Sequence, residues 1–248
     1  MGRYDPNMLR PYKQEVLKEV FTCIKRDNHN AVLDEVLTLS ADTLLNIETM
    51  FNIGIADKTT HFISYEYKKF DEIRYGAEER YFNISGQNTC EIINGRRIFT
   101  MIKGNIKYDT NNRMYRMINK CQDKKFDLAD YDLCSDYYDI KYWLNNNHLN
   151  NVRKDGYFVF NFDIDMNKRN FKKHVDKFEC NLPANVQNQF TFDYCKLKQN
   201  FKEKEKIKEV ITKIVNLLNV CGIRIKQAWV YQDSQSVMAT FYGRKKRG

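Results

Sequence analysis

Two carboxylates, Asp163 and Asp165, fall two residues apart at the end of the run Tyr157-Phe158-Val159-Phe160-Asn161-Phe162-Asp163-Ile164-Asp165. On a strand this spacing turns both toward one face. Such a pair holds Mg²⁺ or Mn²⁺ in nucleases and glycosyltransferases. A metal nuclease would add a third carboxylate and a lysine close by, and neither accompanies the pair. The plainer reading is the solvent face of a half-buried strand whose other face is Phe158, Phe160, Phe162 and Ile164. His61 has no Ser or Cys partner nearby, and no G-x-S-x-G, H-E-x-x-H, Walker loop or G-x-G-x-x-G occurs. The 7 Cys are scattered without a C-x-x-C, and the 4 His do not sit at ligand spacing with them. That argues against a tetrahedral zinc site. The odd Cys count and the absence of an apolar leader indicate reduced thiols. The sequence alone thus predicts no catalytic residue, no metal ligand, no required cofactor and no enzyme.

Composition bounds the rest. The 248 residues carry only 10 Gly and 3 Pro but 16 Tyr and 16 Phe, so collagen-like and linker-like chains are excluded. With 42% hydrophobic residues the chain can bury a core, and its short apolar runs predict no transmembrane span. The formal charge of +9 favours acidic partners, among them nucleotide or nucleic acid. Most bases alternate with acids, as in Lys202-Glu203-Lys204-Glu205-Lys206, which reads as a solvated helix face. The unmixed cluster is Arg244-Lys245-Lys246-Arg247, a phosphate-binding or solubilising tail. Aromatics interleaved with bases, Tyr65 to Phe70 and Arg80-Tyr81-Phe82, could stack nucleobases but on strands more commonly serve as core or interface.

The elements that would position these residues begin with an amphipathic helix over residues 7–26, where Leu9, Tyr12, Val16, Val20 and Ile24 recur at three- and four-residue steps. Residues 36–39, 44–51 and 60–67 read as strands. Asn94-Gly95 between residues 89–93 and 96–102 predicts a two-residue hairpin, because both turn positions need positive φ. A second hairpin is expected over residues 106–118. Residues 157–165 and 190–197 read as core strands. A helix over residues 201–219 follows, with Ile207, Val210, Ile211, Ile214, Val215 and Leu218 as its buried stripe and Cys221-Gly222 as its stop. A last hairpin spans residues 223–231 and 236–242. With no alternation of strand and helix evident, the pattern predicts a mainly β, α+β protein. The body is an antiparallel β-sandwich of jelly-roll type with peripheral helices. Residues 1–30 form a helical arm and residues 31–248 a single sandwich domain.

The leading helix, the strand-rich body and the Tyr- and Asn-rich surface together resemble the cypovirus polyhedrins, insect-virus proteins that crystallise around virions in infected cells. Asn52-Ile53-Gly54-Ile55 with the Tyr/Lys-rich run to Phe70, and Ile102-Lys103-Gly104-Asn105, are similar to stretches of that family. The resemblance implies a β-sandwich with a projecting N-terminal helix. It implies trimers that pack into a lattice in cytoplasmic inclusion bodies, with virus particles as partners and no membrane. It also implies that the lattice can hold bound nucleotides. In this reading the helix cross-links copies, or folds back on its own sheet. Tyr137, Tyr138 and Tyr142 form a contact cluster, and assemblies dissolve above about pH 10 as Tyr and Lys deprotonate. The competing readings are a basic nucleic-acid-binding accessory protein and a metal-dependent nuclease centred on Asp163 and Asp165.

Overall fold

The computed structural model describes residues 11–39, 44–66, 70–103, 125–132, 148–163, 191–194, 204–233 and 236–246. The chain divides into two compact units, Met1–Asp123 and Lys124–Gly248.

The N-terminal unit begins with α1 (Pro11–Asp27), which buries Val16, Leu17, Val20, Phe21 and Ile24. Tyr12 is half-buried, and Leu9 lies outside the described residues. The helix packs on α2 (Leu45–Ile53) and is tied to it at one end, where the Lys25 ammonium donates to the Ile53 carbonyl at 2.7 Å. A cation there also complements the partial negative charge of a helix C-terminus.

Residues 44–51, expected as a strand, are therefore mostly helix. Leu44, Ile47 and Met50 are fully buried at three-residue steps, the helical period overriding a two-residue one. A further helix, α3 (Phe70–Ser85), was not foreseen. Its buried stripe is only Ala77, Tyr81 and Ser85, four residues apart and two of them small, so its amphipathic signal is faint.

With these two helices placed, strands and helices do alternate. β1 (Glu35–Thr38) and β2 (His61–Glu66) pair in parallel with α2 between them, and β2 pairs in parallel with β5 (Phe99–Lys103). The order is β5-β2-β1. All four residues of β1 and the first five of β2 are buried, as expected for parallel strands covered on both faces. The Asn94-Gly95 turn is present, with φ of 52° and 77°, but its hairpin is minimal. It joins β3 (Ile92–Ile93) to β4 (Arg96–Arg97), and the chain then continues into β5. The hairpin expected over residues 106–118 lies outside the described residues.

In the C-terminal unit β6 (Phe126–Asp132) and β7 (Val152–Asp163) run parallel, preceded at β7 by a short 3-10 helix (His148–Asn151). β8 (Thr191–Tyr194) pairs in parallel with β9 (Ile223–Asp233). β10 (Ser236–Lys245) is antiparallel to both β7 and β9, giving the order β6-β7-β10-β9-β8. α4 (Lys204–Val220) packs on β9 and buries the predicted stripe from Ile207 to Leu218. The antiparallel sandwich or jelly roll is thus incorrect. Among the described residues the strands are mostly parallel and flanked by helices, and the reversed pairings are those of β10 and the small β3–β4 hairpin.

Candidate functional site

In open sheets of parallel strands joined by helices, ligands bind outside the carboxyl ends of the strands. Those ends in the N-terminal unit are Thr38, Glu66 and Lys103. Thr38 is buried at the end of β1. The chain then runs through Leu39-Ser40-Ala41-Asp42-Thr43 to Leu44, the residue before α2. Leu44 sits at φ 45° and ψ 29°, a left-handed conformation. Such a backbone costs a side-chain-bearing residue about 1–2 kcal/mol. Among the described residues the other non-glycine residues with positive φ are His29, Asn30, Asn94 and Asp155, types that tolerate it far better. Strain of this sort concentrates at ligand-contacting turns. Leu44 offers no side-chain hydrogen bond to the N-terminus of α2, so it leaves the first-turn N–H groups uncapped by its side chain.

Glu66 ends β2 half-buried, directly beside Lys103 in the parallel register. The Lys103 ammonium bonds the Asp71 carboxylate on the first turn of α3 and lies 5.8 Å from the centre of the Phe70 ring. The Arg74 guanidinium lies 5.9 Å from the same ring and pairs with Glu78 at 2.9 Å. Behind them, Arg80 of α3 bonds Glu48 of α2 at 2.6 Å and fixes the two helices to each other. This end of the sheet therefore presents a carboxylate, an aromatic ring beside two cations, and a strained residue, Leu44, at a helix N-terminus. That set suits a nucleoside: a carboxylate at the end of the second strand accepts hydrogen bonds from ribose hydroxyls. A helix N-terminus favours a negatively charged group.

The residues singled out from sequence fall elsewhere. His61 opens β2 at the amino end of the sheet, fully buried, with Nδ1 3.2 Å from the Arg97 carbonyl oxygen. A carbonyl only accepts, so Nδ1 carries the proton. Beside it Arg96 pairs with Glu35, and lies 3.7 Å from Asp34. Asp163 is the last residue of β7, opposite Met238 in the register, while Asp165 lies outside the described residues. No group of three or more potential metal ligands occurs among the described residues. Tyr137, Tyr138 and Tyr142 also lie outside them. Glu66 and Leu44 escaped the sequence reading because the segment between β1 and α2 lacks the glycines that advertise a phosphate- or nucleotide-binding loop. The remaining signal was the change from strand period to helix period on either side of residues 39–44.

No family model and no curated protein sequence matches the chain. Solved structures do. Magnesium protoporphyrin IX methyltransferase from Synechocystis PCC 6803, with bound SAH, aligns at a TM-score of 0.55 and 9% identity over 99% of this chain and 90% of that one. The O-methyltransferase TomG from Streptomyces achromogenes, in complex with SAM, aligns at 0.53 and 8% identity over 98% and 83%. An O-methyltransferase from Bacillus cereus, in complex with SAH, aligns at 0.52 and 11% identity over 97% and 84%. The chain shares the Rossmann-like fold of these methyltransferases.

This overturns the resemblance to cypovirus polyhedrins, whose implied sandwich is not the fold found. The readings built on it fall as well: a lattice protein of viral inclusion bodies, dissolution at alkaline pH, and residence in the host-cell cytoplasm. The accessory-protein and nuclease readings give way with them as accounts of the chain's activity, while nucleic acid as a partner is untouched by the fold. The expectations of no enzyme and no required cofactor are corrected too, since the fold is that of enzymes solved with SAM or SAH. The physical reason for the error is the covered parallel sheet, whose strands look alike in sequence whichever way their partners run.

Proposed function

We propose that the chain is a methyltransferase using S-adenosylmethionine, held at the carboxyl ends of β1 and β2. The observation that carries this reading is Glu66, a carboxylate at the end of the second parallel strand in a chain with the methyltransferase fold. The residues fit the cofactor's chemistry. Glu66 would accept hydrogen bonds from the ribose diol, and the N–H groups opening α2 would hold the carboxylate of the amino-acid arm. Phe70, flanked by Lys103 and Arg74, would give an apolar wall beside the adenine. In one respect the chain departs from the usual pattern. The segment between β1 and α2 carries no glycine, and Leu44 itself takes the left-handed conformation that glycine ordinarily supplies. When bound, the cofactor supplies an electrophilic methyl group on its sulfonium sulfur.

Titration calorimetry of the full chain with S-adenosylhomocysteine and S-adenosylmethionine tests the reading. Saturable binding is expected, and Glu66→Gln should weaken it about tenfold, the worth of one hydrogen bond to a charged group. Absence of binding to either compound by the unaltered chain would overturn it.

A further inference from the structure

Within the C-terminal unit, the amino ends of β6 and β7 meet the start of β9 and the end of β10. Basic residues gather there: Lys125 before β6, Arg153 on β7, Arg224 and Lys226 on β9, and Arg244 and Lys245 on β10. The residues expected as a C-terminal tail are thus woven into the sheet. Arg244 and Arg224 are direct cross-strand partners, with Cα atoms about 5 Å apart. Like charges so placed destabilise a sheet. A glycine permits the arrangement. At Gly243 the register shifts, and a Cβ there would meet the Arg224 carbonyl oxygen at 2.8 Å and Ile225 Cδ1 at 2.9 Å.

Neutral groups help to orient several of these cations. Arg244 Nε donates to the Asp155 carbonyl oxygen at 3.1 Å, and its guanidinium lies 4.9 Å from the centre of the Tyr157 ring. Lys245 Nζ donates to the Val152 carbonyl oxygen at 2.9 Å, and Lys246 Nζ to that of Asn219 at 2.7 Å. Lys226 Nζ lies 6.0 Å from the centre of the Tyr242 ring. A carbonyl or a ring orients a cation without cancelling its charge. Among the described residues of this rim the carboxylates are Asp127, which Arg153 bonds at 2.7 Å, and Asp155. Burial, and after it the neighbouring Lys125, holds the Lys245 ammonium below its usual pKa. Crowding of one sign, fixed in position and set against local stability, is expected where a polyanion binds.

We propose that this rim docks the phosphate backbone of a nucleic acid. Tyr157 and Tyr242 are buried beneath the cations, so base stacking plays no part and the contact is indifferent to sequence. The proposal is independent of the cofactor site.

The test is fluorescence anisotropy of a labelled, mixed-sequence 20-nucleotide RNA with the full chain, from 50 to 200 mM salt. With about five phosphates engaged, affinity should fall about a hundredfold across that range. Arg224→Glu with Lys226→Glu should cost at least tenfold. Lys18→Glu with Lys208→Glu changes net charge equally at exposed helical positions and should stay within about twofold of the parent. Circular dichroism checks folding, and Arg224→Gln alone, expected to lose a few-fold, serves if the double variant unfolds. Equal loss in both double variants, no binding at 50 mM salt, or an Arg224→Gln affinity unchanged from the parent would overturn the proposal. So would rim-dependent binding to phosphatidylserine vesicles without binding to RNA.

Discussion

The two ends of the N-terminal unit's parallel sheet both carry an arginine or lysine paired with a carboxylate, yet they do opposite work. At the amino end, the side chains of Arg96 and Glu35 are 6% and 2% exposed, and their pair bolts the β3–β4 hairpin to the start of β1. At the carboxyl end, those of Lys103 and Asp71 are 60% and 77% exposed, and their pair sits at the mouth of the candidate site. Burial decides the difference. Inside the protein an ion pair, once formed, cannot be broken cheaply, because either partner alone would be a charge stranded from water. At the surface water replaces a lost partner, so the same chemistry is free to serve a ligand.

The largest way to break this comparison is Arg96→Ala, which should destabilise the chain by about 3–5 kcal/mol by stranding Glu35. Urea unfolding would measure it, and Arg96→Met with Glu35→Leu should recover most of the loss. A cost below about 1 kcal/mol for Arg96→Ala would place the amino end on the same footing as the exposed pair.

Buried groups should also set the alkaline limit. Burial pushes the Tyr81 and Tyr131 phenols well above their usual range. Tyr81 stacks on Phe99, with ring centres 4.9 Å apart, and Tyr131 on Phe160 at 5.4 Å. Folded, both keep their protons; unfolded, they lose them near pH 10, so their contribution is intact below pH 10 and falls as pH rises. At pH 11 the loss is about 1.4 kcal/mol for each. Urea midpoints for Tyr81→Phe between pH 9 and 11 should decline less steeply than those of the parent.

The carboxyl end should respond in binding and barely in stability. Glu66→Gln is expected to leave the urea midpoint unchanged while weakening S-adenosylhomocysteine about tenfold. The smallest effect belongs to Lys103→Ala, at most about 1 kcal/mol of stability for so exposed a pair. A larger loss would mean that the pair braces the sheet, and the contrast between its ends would collapse.

What the sequence determined by itself was local. Asn94-Gly95 specified its turn, because positive φ at two successive residues is a demand that few other pairs meet. Ile207 to Leu218 specified α4, and residues 223–242 a hairpin, since each signal is complete within a short window of chain. Tertiary structure alone decided that Glu35 lies beside His61 and Glu66 beside Lys103. Parallel pairing joins segments separated by a crossover, and strands buried on both faces carry no alternation to betray their partners. For the same reason Arg244 read as part of a loose tail until the sheet set it opposite Arg224. A charge declares its purpose only through the neighbours that folding gives it.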